Sequence, residues 1–331
     1  AYVFKMLSGG MVGMEPSVVS DAFGQLVGDT RTVILWHTAF MIVTVGIVCF
    51  GVIKGIERTV SILMPLFFLM LVGMVVYAGL TADMGAAIEY LFAPDFSKIT
   101  AQTFLEALGQ AFFSIGVGSA IMITYGSYLS RDDNLPQSAV IIAGADTMVA
   151  IIAGLAIFPF VFAFGLSPDA GPGLFFQTLP SAFAQMPGGQ WVGGAFFFLA
   201  LIAALTSSIS LLQVIVAFGE EHTDFGRVGS ALFFGAIIYM FGIAAAFSGE
   251  FFDILDKVSG TILLPLGGFL IALFTGWVVS KALMQKELPD AGAKFFAYWR
   301  FSIRWLAPVA VGLIIVTGLA STFGFDLPFL N

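Results

Sequence analysis

Cys49, His37 and His222 are the only cysteine and histidines among the 331 residues. One thiol permits no intrachain disulfide, and two separated imidazoles are too few for a zinc site. Cys49 lies in an apolar run and reads as a packed thiol. Charge is scarce too: Asp, Glu, Lys and Arg make up 10% of the chain, and a net charge of −8 leaves no basic face for nucleic acid. Residues Ala1 to Thr32 lack an initiating Met, a signal peptide and a full span, so the chain reads as beginning in mid-protein. Apolar residues are abundant: 59% of the sequence is hydrophobic, 37 residues are Phe, and the mean hydropathy is +1.00. Such a chain is not an ordinary soluble domain. Its apolar segments reach about 20 residues without the ten-residue alternation of an outer-membrane barrel, which predicts an all-α polytopic membrane protein in a lipid bilayer.

Eight candidate spans follow residue 32: Val33 to Ile53, Val60 to Leu80, Phe104 to Tyr128, Ser138 to Phe164, Val192 to Phe218, Val228 to Phe247, Ile254 to Val279 and Phe301 to Phe323. Basic residues concentrate on the cytoplasmic side of membrane proteins. If the first span runs inward, nine of the 13 Lys and Arg lie inside: Lys54, Arg58, Arg131, Arg227, Lys281, Lys286, Lys294, Arg300 and Arg304. Lys5, Arg31, Lys98 and Lys257 then lie outside, and Lys54 to Arg58 is a cytoplasmic loop. Gly165 to Gln190, rich in Gly and Pro, reads as an outer loop with a short helix that serves as a lid.

Three features sit at membrane depth, where polar groups are costly and need partners. The first is Gln110-Ala111-Phe112-Phe113-Ser114-Ile115-Gly116-Val117-Gly118-Ser119, midway along a span. Two readings are open on these residues alone. One is a helix broken over about 114 to 118, tolerable at that depth where the freed backbone is buried or lines a cavity. The other is a continuous span whose small residues let a neighbour approach. The second feature is Asp146, the one acid well inside a span. It either holds a proton as a helix contact or is neutralised by a cation. The third is Ala203, Thr206 and Ser207, whose i, i+3, i+4 spacing stacks a carbonyl and two hydroxyls on one face. Oxygens suit a hard cation such as Na⁺; alternatively the hydroxyls bond back to the preceding turn. The acids at the span ends, Asp253, Asp256, Glu220 and Glu221, read as solvated.

Phe112-Phe113-Ser114 with the Gly-x-Gly that follows, Thr124-Tyr125-Gly126-Ser127-Tyr128, Leu205-Thr206-Ser207-Ser208-Ile209 and Lys54-Gly55-Ile56-Glu57-Arg58 together resemble the neurotransmitter:sodium symporter family, particularly its bacterial amino-acid transporters. The resemblance covers nearly the whole chain and implies an inverted-repeat fold with discontinuous helices around a midplane site. Its second repeat, 104–280, would be complete, and its first partial: 1–32 the end of a truncated helix and an outer loop, 33–80 the last two helices, with 301–323 an additional span. The family's first two helices, which complete both ion sites and both gates, would be absent.

Residue by residue, the resemblance implies a first sodium site with Ser114 and Asp146 and a second with Ala203, Thr206 and Ser207. Phe113 would lie over the substrate, with Ser114, Gly116, Ser119, Ser207 and Leu211 around it. Asp256 would be an outer-gate acid, Glu221 an inner-gate acid, and Tyr128 part of the inner network. Gln110 and Ser114 are suited to chloride, but Ala150 stands where a hydroxyl or acid is needed, which leaves chloride dependence open. The implied function is sodium symport of an amino acid or related small amine across the plasma membrane. The alternative is a truncated, non-transporting homologue acting as a binding or scaffold protein. An intramembrane enzyme is disfavoured, since Asp146 has no second deep acid and Ser114 no deep base.

Overall fold

The computed structural model describes residues 1–130, 133–165, 168, 173–288 and 292–323, without the side chains of 321–323. Arg131 and part of the 165–190 loop lie outside the described residues. The chain forms two compact units, one from Ala1–Ala93 with Met148–Gly249, the other from Pro94–Thr147 with the chain from Glu250 onward.

In chain order the first unit begins with α1 (Tyr2–Leu7), α2 (Pro16–Gly28), α3 (Thr30–Cys49), α4 (Arg58–Thr81) and α5 (Met84–Phe92). The second begins with α6 (Ala101–Ile115), α7 (Ile121–Gly126) and α8 (Leu135–Ala163), whose C-terminal part belongs to the first unit. α9 (Leu179–Gln185), α10 (Gly189–His222) and α11 (Gly226–Phe247) complete the first unit. α12 (Gly249–Lys257), α13 (Leu264–Leu273), α14 (Lys281–Glu287), α15 (Ala293–Phe301) and α16 (Ala307–Phe323) belong to the second. Among the described residues there is no strand.

Among the described residues, seven continuous helical stretches are long and apolar enough to cross a membrane: Thr30–Cys49, Val52–Thr81, Leu135–Ala163, Gly189–His222, Gly226–Phe247, Gly249–Val278 and Ala293–Ala320. α6 and α7, too short singly, form the interrupted helix within the 104–128 run. Lys54 to Arg58, expected to be a loop, is instead wound: Val52–Glu57 is a π-helical turn that leads into α4. Gly51, at φ +95°, starts that turn in a conformation suited to glycine. Among the described residues, three of the four other π turns, at Leu174–Thr178, Val258–Leu263 and Ser302–Leu306, run into segments bearing Pro180, Pro265 and Pro308; the fourth, Phe274–Val278, does not. Proline has no N–H and its ring crowds the carbonyl four residues earlier, so the wider turn relieves that crowding.

Helix starts follow side-chain chemistry. Asp29 caps α3, accepting from the Thr32 hydroxyl at 2.6 Å and the Thr32 N–H at 3.3 Å. These bonds, the hydroxyl's first, hold its carboxyl below the usual carboxylate range. Thr100 opens α6 with a reciprocal capping box to Thr103.

In the first unit α10 is the axis, packed by α1, α3, α4, α9 and α11. α1 lies against Gly193 and Gly194, where added methyl groups would meet Met6 and Leu7. An aromatic core of Tyr2, Phe160, Phe183, Phe196 and Phe197 surrounds them. α9 falls within the expected outer loop, and Leu179 to Ala184 are all buried, so this piece is packed into the unit's core instead of lying over it as a lid. α3 packs on α11 through His37, whose ring stacks on Tyr239 with centroids 5.1 Å apart. In the second unit α13 and α16 pack on each other and on α6.

Candidate functional site

The interruption in the second unit lies at 116–120, two residues beyond the expected 114–118. Gly116 closes α6 in the left-handed region at φ +70°, its N–H bonded to the Phe113 carbonyl at 3.1 Å. Ala120, at φ +60°, starts α7 in the same region. Ser114 and Ile115 therefore remain helical, and Ser114 sits in the last turn of α6. The Ser119 hydroxyl donates to the Gly116 carbonyl at 2.9 Å and ties the gap together.

Backbone lies directly on backbone here. A methyl group on Gly118 would overlap the Leu264 carbonyl of α13, and one on Gly267 would overlap the Gly118 carbonyl. The helix is therefore broken and the continuous-span reading is set aside, although the small residues at the break do let α13 approach.

Ser114 Oγ donates to Asp146 Oδ1 at 2.7 Å, joining the end of α6 to the middle of α8. The last turn of a helix leaves carbonyls without intrahelical donors and carries the negative end of the dipole. A hydroxyl oxygen, a carboxylate and such carbonyls form an oxygen-rich, negative set that fits a hard monovalent cation. Ser114 spends its proton on Asp146, so its lone pairs stay open to an ion. Phe113, 62% exposed, stands beside a cavity of 220 Å³ that Gln110, Phe112 and Leu264 also line.

In the first unit Thr206 Oγ1 donates to the Ile202 carbonyl at 3.1 Å and the Ala203 carbonyl at 3.0 Å, the back-bonding alternative. Ser208 turns the other way, donating to the Leu205 carbonyl and meeting Thr44 of α3 at 3.0 Å. Ala203, Ser207 and Leu211, at i, i+4 and i+8, share an exposed face of α10. Asp253, Asp256 and Glu221 are exposed on their helices, and Tyr128 meets Tyr125 edge-on at 6.5 Å.

The sequence reading passed over a polar cluster around Arg227, counted there only as a loop charge. Arg227 Nε donates to the Val48 carbonyl at 2.9 Å, Nη2 donates to Gln213 Oε1, and Nη1 bridges to Glu220 at 3.1 Å. One side chain thus ties the end of α3 to α10 and α11. Glu220 is paired here, not simply solvated as expected. Fully buried Gln213, a polar residue deep in an apolar helix, was the signal that could have revealed the cluster. Arg227→Leu removes all three donations and is expected to cost about 2 kcal/mol, read as a lowered unfolding midpoint in detergent.

Comparison with known proteins agrees with this architecture. The model of the sodium:neurotransmitter symporter family matches residues 24–325. The sodium-dependent transporter YhdH of Bacillus subtilis (strain 168) is 33% identical over 98% of this chain and 75% of its own length. A sodium-dependent transporter of Haemophilus influenzae is 36% identical over 70% of this chain and 53% of its own. The crystal structure of MhsT in complex with L-phenylalanine superposes with a TM-score of 0.85 at 38% identity, over 96% of this chain and 75% of that one. Proteins of this family are sodium-coupled transporters, not enzymes. The chain belongs to the sodium:neurotransmitter symporter family and is a multi-pass protein of the plasma membrane with that family's inverted-repeat helical fold.

Proposed function

We propose that the protein carries an amino acid or a related small amine across the membrane together with Na⁺. The observation that carries this reading is the Ser114–Asp146 pair at the end of a helix that stops at membrane depth. An acid, a hydroxyl and a helix C-terminus at one point support an oxygen ligand set for a cation. The likeness to MhsT, solved with L-phenylalanine, supports an amino-acid substrate.

In the second unit we assign Ser114 and Asp146 to a first sodium site, and Phe113, Ser114, Gly116 and Ser119 to substrate contact. Gly116 and Ser119 are small, which leaves room for a bulky side chain. In the first unit we assign Ala203, Thr206 and Ser207 to a second sodium site, with Ser207 and Leu211 on the face turned to ligand. The Thr206 hydroxyl already spends its proton on main-chain carbonyls, so its oxygen is free to face a cation. Asp256, Glu221 and Tyr128 are assigned to gating. We further assign 33–80 to the end of the first repeat and 104–280 to the second.

Thr206→Ala removes one oxygen ligand, a loss of about 1 to 3 kcal/mol. The Na⁺ concentration for half-maximal uptake should rise about five- to a hundredfold.

The test of the function is uptake of radiolabelled amino acids by cells or proteoliposomes carrying the protein expressed at full length, with Na⁺ compared with choline. Uptake of at least one amino acid in Na⁺ but not in choline is expected. Specific amino-acid binding without uptake in either medium would instead favour the non-transporting reading.

A further inference from the structure

A threonine at position 44 is out of pattern for its place in the first unit. α3 buries Met41, Thr44 and Val48, at i, i+3 and i+7 on one helical face, and Thr44 is 1% exposed between two apolar neighbours. Val48 continues that face into an apolar core built with Ile209, Leu212 and Val216 of α10 and Ala231 of α11. Valine would fill the same space, so what Thr44 adds is a hydroxyl. A buried hydroxyl needs a partner. The partner is Ser208 of α10, 3.0 Å away. Ser208 Oγ donates to the Leu205 carbonyl at 2.9 Å, so the proton between the two hydroxyls comes from Thr44. The bonds run one way, from the Thr44 hydroxyl to the Ser208 hydroxyl to the main chain of α10.

Fixing Ser208 decides where its neighbours point. At about 100° per residue, Ala203, Thr206 and Ser207 lie about 140°, 160° and 100° around the α10 axis from Ser208, on the side turned away from α3. Their exposure agrees: Ala203 and Ser207 are exposed and Thr206 is half-buried. This stretch of α10 is also the one most easily bent. Thr206 donates to the Ile202 and Ala203 carbonyls, Ser208 to that of Leu205 and Ser210 to that of Thr206, and hydroxyls bonded back in this way bend helices. Ser208 is held from α3 as well, which limits how far the bend can rotate the ligand face.

We propose that Thr44 is a positioning residue for the second sodium site: by holding Ser208 it sets the rotation of α10, and with it the direction in which the oxygens of Ala203, Thr206 and Ser207 face. Thr44 itself stands on the opposite side of α10 from the ion. This role rests on the assignment of those three residues to a sodium site above.

The test is Na⁺-dependent thermal stabilisation, in detergent and without amino acid, of the protein expressed at full length, since an ion that binds only the folded state raises the melting temperature as its concentration rises. Thr44→Val keeps the volume and removes the hydroxyl. It should raise the Na⁺ concentration needed for a given rise in melting temperature about two- to tenfold. Ser208→Ala, which breaks the same bond from α10, should do likewise, and Thr44→Ser, which keeps the hydroxyl, should match the parent. A Thr44→Val protein that melts lower but keeps the parent's Na⁺ dependence has lost a helix contact alone, and that result would overturn the proposal, as would an equal shift in Thr44→Ser. Thr206→Ala, measured alongside, separates two failures. If it shifts the Na⁺ dependence and Thr44→Val does not, the ion site stands and the positioning role falls; if Thr206→Ala shifts nothing, the ion assignment falls and takes the positioning role with it.

Discussion

Gly118→Ala is expected to remove folded protein from the membrane. The new methyl group would overlap the Leu264 carbonyl oxygen, an atom fixed in the first turn of α13 that cannot swing aside as a side chain could. Overpacking of a closed interior typically costs about 1 to 3 kcal/mol, and with main chain on both sides the upper end applies, about 3 kcal/mol. Gly126→Ala supplies the control, because nothing lies within 4 Å of that position. At the last residue of α7 it should be neutral or slightly stabilising, since alanine is the better helix former. Thermal unfolding in detergent, followed by the amount of monodisperse protein recovered, compares the two. Equal recovery for both variants would mean that α13 does not lie against the interruption.

Asp146→Ala should produce the largest change in ion dependence. If Asp146 faces the ion as proposed, the variant loses an oxygen ligand, and it leaves the Ser114 hydroxyl without its acceptor at 2.7 Å. Hydrogen bonds to charged groups contribute about 1.5 to 3 kcal/mol, so half-maximal uptake should need about tenfold to a hundredfold more Na⁺. Asp146→Asn should be milder, because an amide oxygen can still accept from Ser114 and face an ion. The shift should also depend on substrate concentration, since two ligands that stabilise each other's binding do so reciprocally. If Asp146 is only a hydrogen-bonded contact between α6 and α8, both variants will transport with the parent's Na⁺ dependence.

The spans were legible because hydropathy over twenty residues is a strong signal in a chain with so little charge. The interruption was legible only in part: Gly116 and Gly118 weaken a helix where lipid offers the backbone no alternative partner, but a continuous span with small residues fitted the same glycines until the resemblance to the symporter family favoured a break. Its position was less so. Gly116 acts as a left-handed terminator that keeps Ser114 inside α6, and the second left-handed residue is Ala120, a type that gives no warning of positive φ. Lys54 to Arg58 read as a loop because Lys54, Glu57 and Arg58 are charged, whereas the backbone of Val52–Glu57 stays wound in a wider turn that leads into α4. The buried state of α9 escaped notice because Gly- and Pro-rich flanks look like surface chain, while packing against α2 and α10 decides the outcome. The Arg227 cluster depends on a carbonyl of α3, a side chain of α10 and the start of α11 meeting, and no local pattern encodes that encounter. Thr206 shows the opposite limit: spacing placed its hydroxyl on one face with Ala203 and Ser207, and both a back-bonded and an ion-facing hydroxyl satisfy that spacing.

Coupling between ion and amino acid is the central claim, and entry of ²²Na⁺ into proteoliposomes containing the full-length protein tests it most directly. Adding an amino acid that the protein takes up should accelerate ²²Na⁺ entry in the parent, and Asp146→Ala should lose that acceleration at the same Na⁺ concentration. Amino-acid uptake by the parent with no accompanying ²²Na⁺ movement would contradict the account.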